Sequence, residues 1–117
     1  MAVPDPDLTR EQQELIVQLQ GIRKIVINTD FGGFGLSRAA WTIWCLQKGW
    51  DPDDENLHDH MIERDCPILV KLVEEMGANA NGPYSRLKVV EIPADVFWEL
   101  ADYDGREWIA EQHRTWR

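Results

Sequence analysis

No stretch of this chain is apolar for long enough to span a bilayer, and its start lacks the charged-then-apolar pattern of a secretory leader. A membrane partner is therefore not expected. Cysteine is scarce: Cys45 and Cys66 stand alone, without CxxC spacing, which argues against a disulfide scaffold and fits a reduced cytoplasmic compartment. Basic residues are also outnumbered, with 12 Lys and Arg against 21 Asp and Glu and a formal net charge of −9. Binding a polyanion requires cations that displace its counterions, so nucleic acid is not an expected partner. The acid excess suits solubility, most commonly, or a basic protein partner, or mimicry of a polyanion.

Aromatic residues of one kind are plentiful. Six tryptophans occur in 117 residues, three of them (Trp41, Trp44, Trp50) close together and three (Trp98, Trp108, Trp116) near the end. Most such rings fill a core, and one or two could line a partner surface. With 44% hydrophobic residues, a single domain can build a core without metal or disulfide.

The pattern along the chain predicts an α+β fold: a small antiparallel or mixed sheet of about four strands, with a C-terminal hairpin, packed against about three helices. Residues 1–22 read as an N-terminal arm and short helix, and residues 23–117 as one α+β domain. Thr9 and Gln12 have capping-box spacing, and Gly21 ends the first helix. Lys24 to Thr29 is rich in β-branched residues and continuously apolar, the pattern of a central strand covered on both faces. A glycine-rich loop follows, with Phe31 and Phe34 as expected core plugs, and then a helix capped by Ser37 and stopped by Gly49. Residues 50–65 form an acidic loop with one helical turn around Leu57 to Ile62. A third helix begins near Pro67 and ends at Gly77, and Leu87 to Ile92 is a strand stopped by Pro93. Phe97 to His113 closes as a hairpin through Asp104-Gly105, a favoured two-residue turn. A helix over Glu107 to Trp116 is the alternative. In the hairpin register Asp102 faces Glu107, a like-charge pair that calls for a nearby cation.

Three constellations could carry chemistry. In the first, Asn28, Gly32, Gly33, Phe34 and Ser37 belong to a strand-to-helix loop whose amides could approach an anion at a helix N-terminus. It has neither the Lys-Ser/Thr ending of a Walker loop nor dinucleotide-fold glycine spacing, and Asp30 opposes an anion. The bland reading is a tight turn. In the second, Tyr103, Glu107, Glu111, His113 and Arg114 lie on the C-terminal segment, where His113 could move a proton and Arg114 could clamp an oxyanion. The bland reading is a satisfied polar cluster at a sheet edge. In the third, the acidic stretch with His58 and His60 fails the calcium-loop pattern at Asn56 and Ile62 and lacks zinc spacing, so no metal and no cofactor are expected.

Two segments carry a resemblance. KIVINTDFGGFGLS over residues 24–37 and YDGREWIAEQHRTW over residues 103–116 are similar to the opening and closing segments of a family of small uncharacterised proteins of tailed bacteriophages and some large viruses. IERDCP (residues 62–67), Ala80-Asn81-Gly82 and LKVVEIP (residues 87–93) fit as well. The chain departs from the family at Asp30-Phe31, where Cys or Arg followed by Tyr is common, and at Cys66, where Asp is usual. The resemblance implies a phage-encoded accessory protein acting in the host cell cytoplasm, and it brings no established activity. The leading expectation is a non-catalytic binding module for a small anionic ligand or a host protein. The alternatives are a small acid-base or metal-assisted enzyme using the C-terminal Glu/His cluster, and a homo-oligomer assembled through the tryptophans and first helix.

Overall fold

The structure is a computed structural model that describes residues 9–111. It is the expected α+β arrangement of three helices and four strands ending in a hairpin. In chain order these are α1 (Arg10–Gln20), β1 (Ile22–Asn28), α2 (Arg38–Lys48), α3 (Pro67–Met76), β2 (Leu87–Pro93), β3 (Trp98–Tyr103) and β4 (Arg106–Glu111). Single 3-10 turns occupy Asp59–Met61 and Gly77–Ala80.

The four strands are divided between two antiparallel ribbons, β1–β2 and β3–β4. β1 is buried from Ile25 to Asn28, as its apolar run predicts, yet only one edge of it carries a strand. Its other edge is satisfied irregularly. The Val26 amide donates to the Arg64 carbonyl at 2.7 Å, and the Asn28 amide donates to the Glu107 carboxylate at 2.8 Å. A loop and a side chain thus stand where a central strand would have its second neighbour.

The core lies between this ribbon and helices α2 and α3. Val26, Phe34, Leu36, Trp44, Cys45, Leu69, Leu72 and Val73 belong to one buried cluster. α2 enters it through a Ser37 cap, whose hydroxyl accepts the Ala40 amide at 3.1 Å, and leaves at Gly49 in the left-handed region. Proline at the first position of α3 presets the helical φ where no amide partner is needed. Trp41 stacks on Trp44, and Trp50 meets Trp44 edge to face at 5.2 Å.

α1 contributes no buried residue. The Thr9–Gln12 capping box forms, and the helix is fastened by charge. Arg23 donates to both carboxylate oxygens of Glu14 at 2.7 Å, and Arg10 reaches Glu63 and Asp65. This forked hydrogen bond holds the Glu14 carboxyl below its ordinary pKa. No helix of the described residues is long and apolar enough to cross a membrane.

Candidate functional site

The glycine-rich loop, residues 30–36, and the turn of the hairpin meet. Asp104 and Gly105 both have positive φ, 53° and 89°, the signature of the two-residue turn whose twist matches the ribbon. That turn lies directly on the loop. A Cβ on Gly105 would stand 2.5 Å from the Gly33 nitrogen and 2.6 Å from the Phe31 carbonyl oxygen. On another side, a Cβ on Gly32 would stand 2.2 Å from the Tyr84 Cβ. Both glycines are there because backbone approaches backbone too closely for any side chain.

Asn28 holds the junction. Its side-chain amide donates to the carbonyls of Asp30 (2.8 Å) and Gly105 (2.7 Å), and its oxygen accepts from the amides of Asp30 (3.2 Å) and Arg86 (2.9 Å). The residue is fully buried, so one side chain ties β1, the loop, the hairpin turn and the chain before β2. Glu107 works beside it. Its buried carboxylate accepts the Asn28 amide and pairs with Arg64, whose guanidinium lies 3.7 Å from the Phe34 ring centroid. Arg64 is thus the cation that the Asp102–Glu107 pairing calls for.

An acidic side chain stands just ahead of α2. The Asp59 carboxylate accepts the Leu36 amide at 2.9 Å, and the Ser37 amide donates to the Ala80 carbonyl. The Ser37 hydroxyl also donates to the Asn79 carbonyl at 2.7 Å. A carboxylate of the acidic loop thus lies against the chain that leads into α2, and the Ser37 hydroxyl takes the Ala40 amide of the first turn.

No protein-family profile, curated protein or solved structure matches this chain.

Asn28, Gly32, Gly33, Phe34 and Glu107 lie at this junction and Ser37 caps α2, and their polar side-chain groups are engaged within the protein. Glu107 and Glu111 share a face of the hairpin, as alternation predicts, although four strand residues separate them by about 13 Å. Glu111 is exposed opposite Trp98. His113 and Arg114 lie outside the described residues, as does any helix beyond Glu111. Among the described residues no group of three or more His, Cys, Asp or Glu converges to hold a metal. Cys45 is fully buried, and burial pushes its thiol up, which keeps it protonated and unreactive.

Of the two phenylalanines expected to plug the core, only one is buried. Phe34 is a core plug, but Phe31 is 53% exposed, because the hairpin turn packs on its backbone and leaves the ring outside. Tyr84 (73%) and Tyr103 (72%) are exposed beside the same junction. With Phe31 they put three exposed aromatic residues around the junction, referred to below as its aromatic rim. Asp59, Arg64 and Tyr84 were missed as site residues. The Asp102–Glu107 conflict was the signal for Arg64, and nothing local distinguished Asp59 among its acidic neighbours.

Proposed function

We propose that this chain is a non-catalytic binding module that engages a host protein through the aromatic rim at the loop–hairpin junction. One observation carries the reading: at a single place the backbone is locked by close glycine contacts while Phe31, Tyr84 and Tyr103 are held out in water. Exposed aromatics on a rigid base are what interface hot spots are made of, because little conformational freedom is lost on contact. Of the two ligands expected of a binding module, the protein is favoured over the small anion. The Asp59 carboxylate beside the entry to α2 opposes an anion there, and Asn28 and Glu107 have internal partners. An acid-base role for Glu107 is disfavoured by the same burial and by its pairing with Arg64. The resemblance to the phage family points to a bacterial protein as the partner.

The test compares the wild type with a Phe31→Ser/Tyr84→Ser/Tyr103→Ser variant matched to it by circular dichroism. Immobilised wild type should retain one bacterial protein that binds again after purification. The variant should bind that purified protein at least about tenfold more weakly, a hot-spot-sized loss. Equal retention by both would overturn the reading. So would a rise of several degrees in Tm with nucleotides or inorganic phosphate, the mark of a small-anion site.

A further inference from the structure

We propose that two copies of this chain pair through the outer face of α2, antiparallel, about a two-fold axis that passes between Ile43 and Leu46. The contact uses a different surface from the aromatic rim and does not rest on it.

A surface helix normally buries one apolar stripe and turns polar residues to water. α3 does so: its exposed positions, Lys71, Glu74 and Glu75, are all charged. α2 departs from this rule. Its inner face is buried through Ala40, Trp44 and Cys45, yet its outer face is apolar as well. Ala39, Ile43 and Leu46 recur at i, i+4 and i+7 and are all exposed, Leu46 by 65%. The exposed Trp50 follows the Gly49 stop, edge-on to Trp44. Single apolar side chains on a surface need no explanation, but a stripe at helical spacing is the pattern of a helix–helix seam.

Charge selects the occupant. The chain carries a formal charge of −9, so a second copy is repelled wherever carboxylates line the contact. α1 exposes Leu15 and Leu19, but Glu11 and Glu14 lie beside Leu15. The hairpin exposes Leu100 between Glu99 and Asp102. α2 alone among these has no acidic residue, from Arg38 to Lys48. Its two ends differ in sign, since Arg38 begins the helix and the exposed Asp51 follows it. An antiparallel copy brings Arg38 level with Asp51 of the second copy, and sets the positive end of each helix dipole beside the negative end of the other.

The same register matches shape. Ile43 lies opposite Leu46 of the second copy, and the small Ala39 lies opposite its large Trp50. Thr42 and Gln47, polar and uncharged, flank the seam. A parallel pairing would instead set Arg38 against Arg38 and Ala39 against Ala39, with a repulsion and a gap. The inverted copy therefore fits α2 in size and in sign at each level.

The contact is small. An 11-residue helix about 16 Å long and about 10 Å wide covers roughly 300–400 Å² per copy. A standard interface covers about 800 Å² per partner, so the dimer should be weak, with a Kd on the order of 0.1 mM.

Sedimentation equilibrium of the full-length protein, from about 10 μM to about 1 mM, tests this. The average mass should rise from one chain toward two. Added salt should tighten the dimer about threefold or more, because it screens the repulsion between two chains of charge −9. Leu46→Glu, at an exposed position, should keep the wild-type circular dichroism and Tm and weaken self-association at least about tenfold. Leu15→Glu/Leu19→Glu on α1 should leave it unchanged. In a Cys66→Ser background, an oxidised mixture of Ile43→Cys and Leu46→Cys chains should give more covalent dimer than either chain alone, as the antiparallel register requires. A mass that stays at one chain throughout, or a Leu46→Glu variant that dimerises like the wild type, would overturn the inference. So would loss of the dimer on changing the α1 leucines or the three rim aromatics, or like-with-like cross-links outnumbering mixed ones. A host protein captured by the wild type and lost by Leu46→Glu, without self-association, would assign the face to a foreign partner and overturn it too.

Discussion

The two halves of this small protein are built on different physics. The part formed by α2, α3 and the inner face of β1 is held by apolar packing, with Leu69, Val26 and Cys45 fully buried. The junction of loop and hairpin is held by the four hydrogen bonds of Asn28, the Glu107–Arg64 pair and two glycines in close backbone contact. Apolar packing depends on volume and tolerates a change of shape. Hydrogen bonds depend on which atom is donor and which acceptor, and tolerate almost none. A surface that must present side chains in fixed positions is better served by the second kind of construction.

The sharpest way to break the comparison is to make isosteric changes in both regions. Asn28→Asp keeps size but turns the donor to the Asp30 and Gly105 carbonyls into an oxygen facing oxygens. With two part-buried carbonyls losing their donor and an oxygen set against them, it should destabilise the protein by about 2–3 kcal/mol. Gly105→Ala should cost about 2–4 kcal/mol, combining a positive φ with overpacking against Gly33. Leu69→Met, in the apolar half, should cost less than about 1.5 kcal/mol. Urea unfolding midpoints decide the matter. If Leu69→Met proves as damaging as Asn28→Asp, the two regions do not differ in kind.

A smaller effect is expected at Glu107. Glu107→Gln keeps an oxygen for the Asn28 amide but removes the charge facing Arg64, whose side chain is only 14% exposed. The loss should be about 2 kcal/mol, below the range for a fully buried pair because Arg64 keeps its contact with the Phe34 ring. A double-mutant cycle with Arg64→Met isolates the pairing, and additive losses would show that the ion pair is not what fixes the hairpin to β1.

The same division explains what was legible in the sequence. The apolar half was readable because helix caps and stops are local: Ser37, Gly49, Pro67 and Gly77 bound α2 and α3 as observed. The hairpin register followed from Asp104-Gly105 and came with a demand for a cation. What could not be read was which distant residue met each local need. Arg64 is 43 positions from Glu107, and Asp59 is 23 from Leu36. Nothing in the composition of the acidic stretch marks these two among its many charged neighbours. The exposure of Phe31 was hidden for the same reason, since it depends on a turn more than seventy positions away.

α1 supplies the mildest test, because it belongs to neither half. It buries no residue and is held through Glu14, whose carboxyl is kept below its ordinary pKa chiefly by the Arg23 hydrogen bonds. A depressed carboxylate stabilises the fold at pH values above its unfolded pKa, and that contribution is lost as the pH falls through the folded value. The loss therefore belongs to the acid limb, below the ordinary glutamate range. Because Glu14 is about a third exposed, the effect should be on the order of 1 kcal/mol or less. Glu14→Gln should lower the urea midpoint slightly at neutral pH and converge with the wild type at low pH. The raised pKa of Arg23 and Arg10 adds nothing in this window, since both stay charged throughout. If the gap between Glu14→Gln and the wild type is the same at every pH, α1 is held by the packing of its side chains, and the charge clamp is incidental.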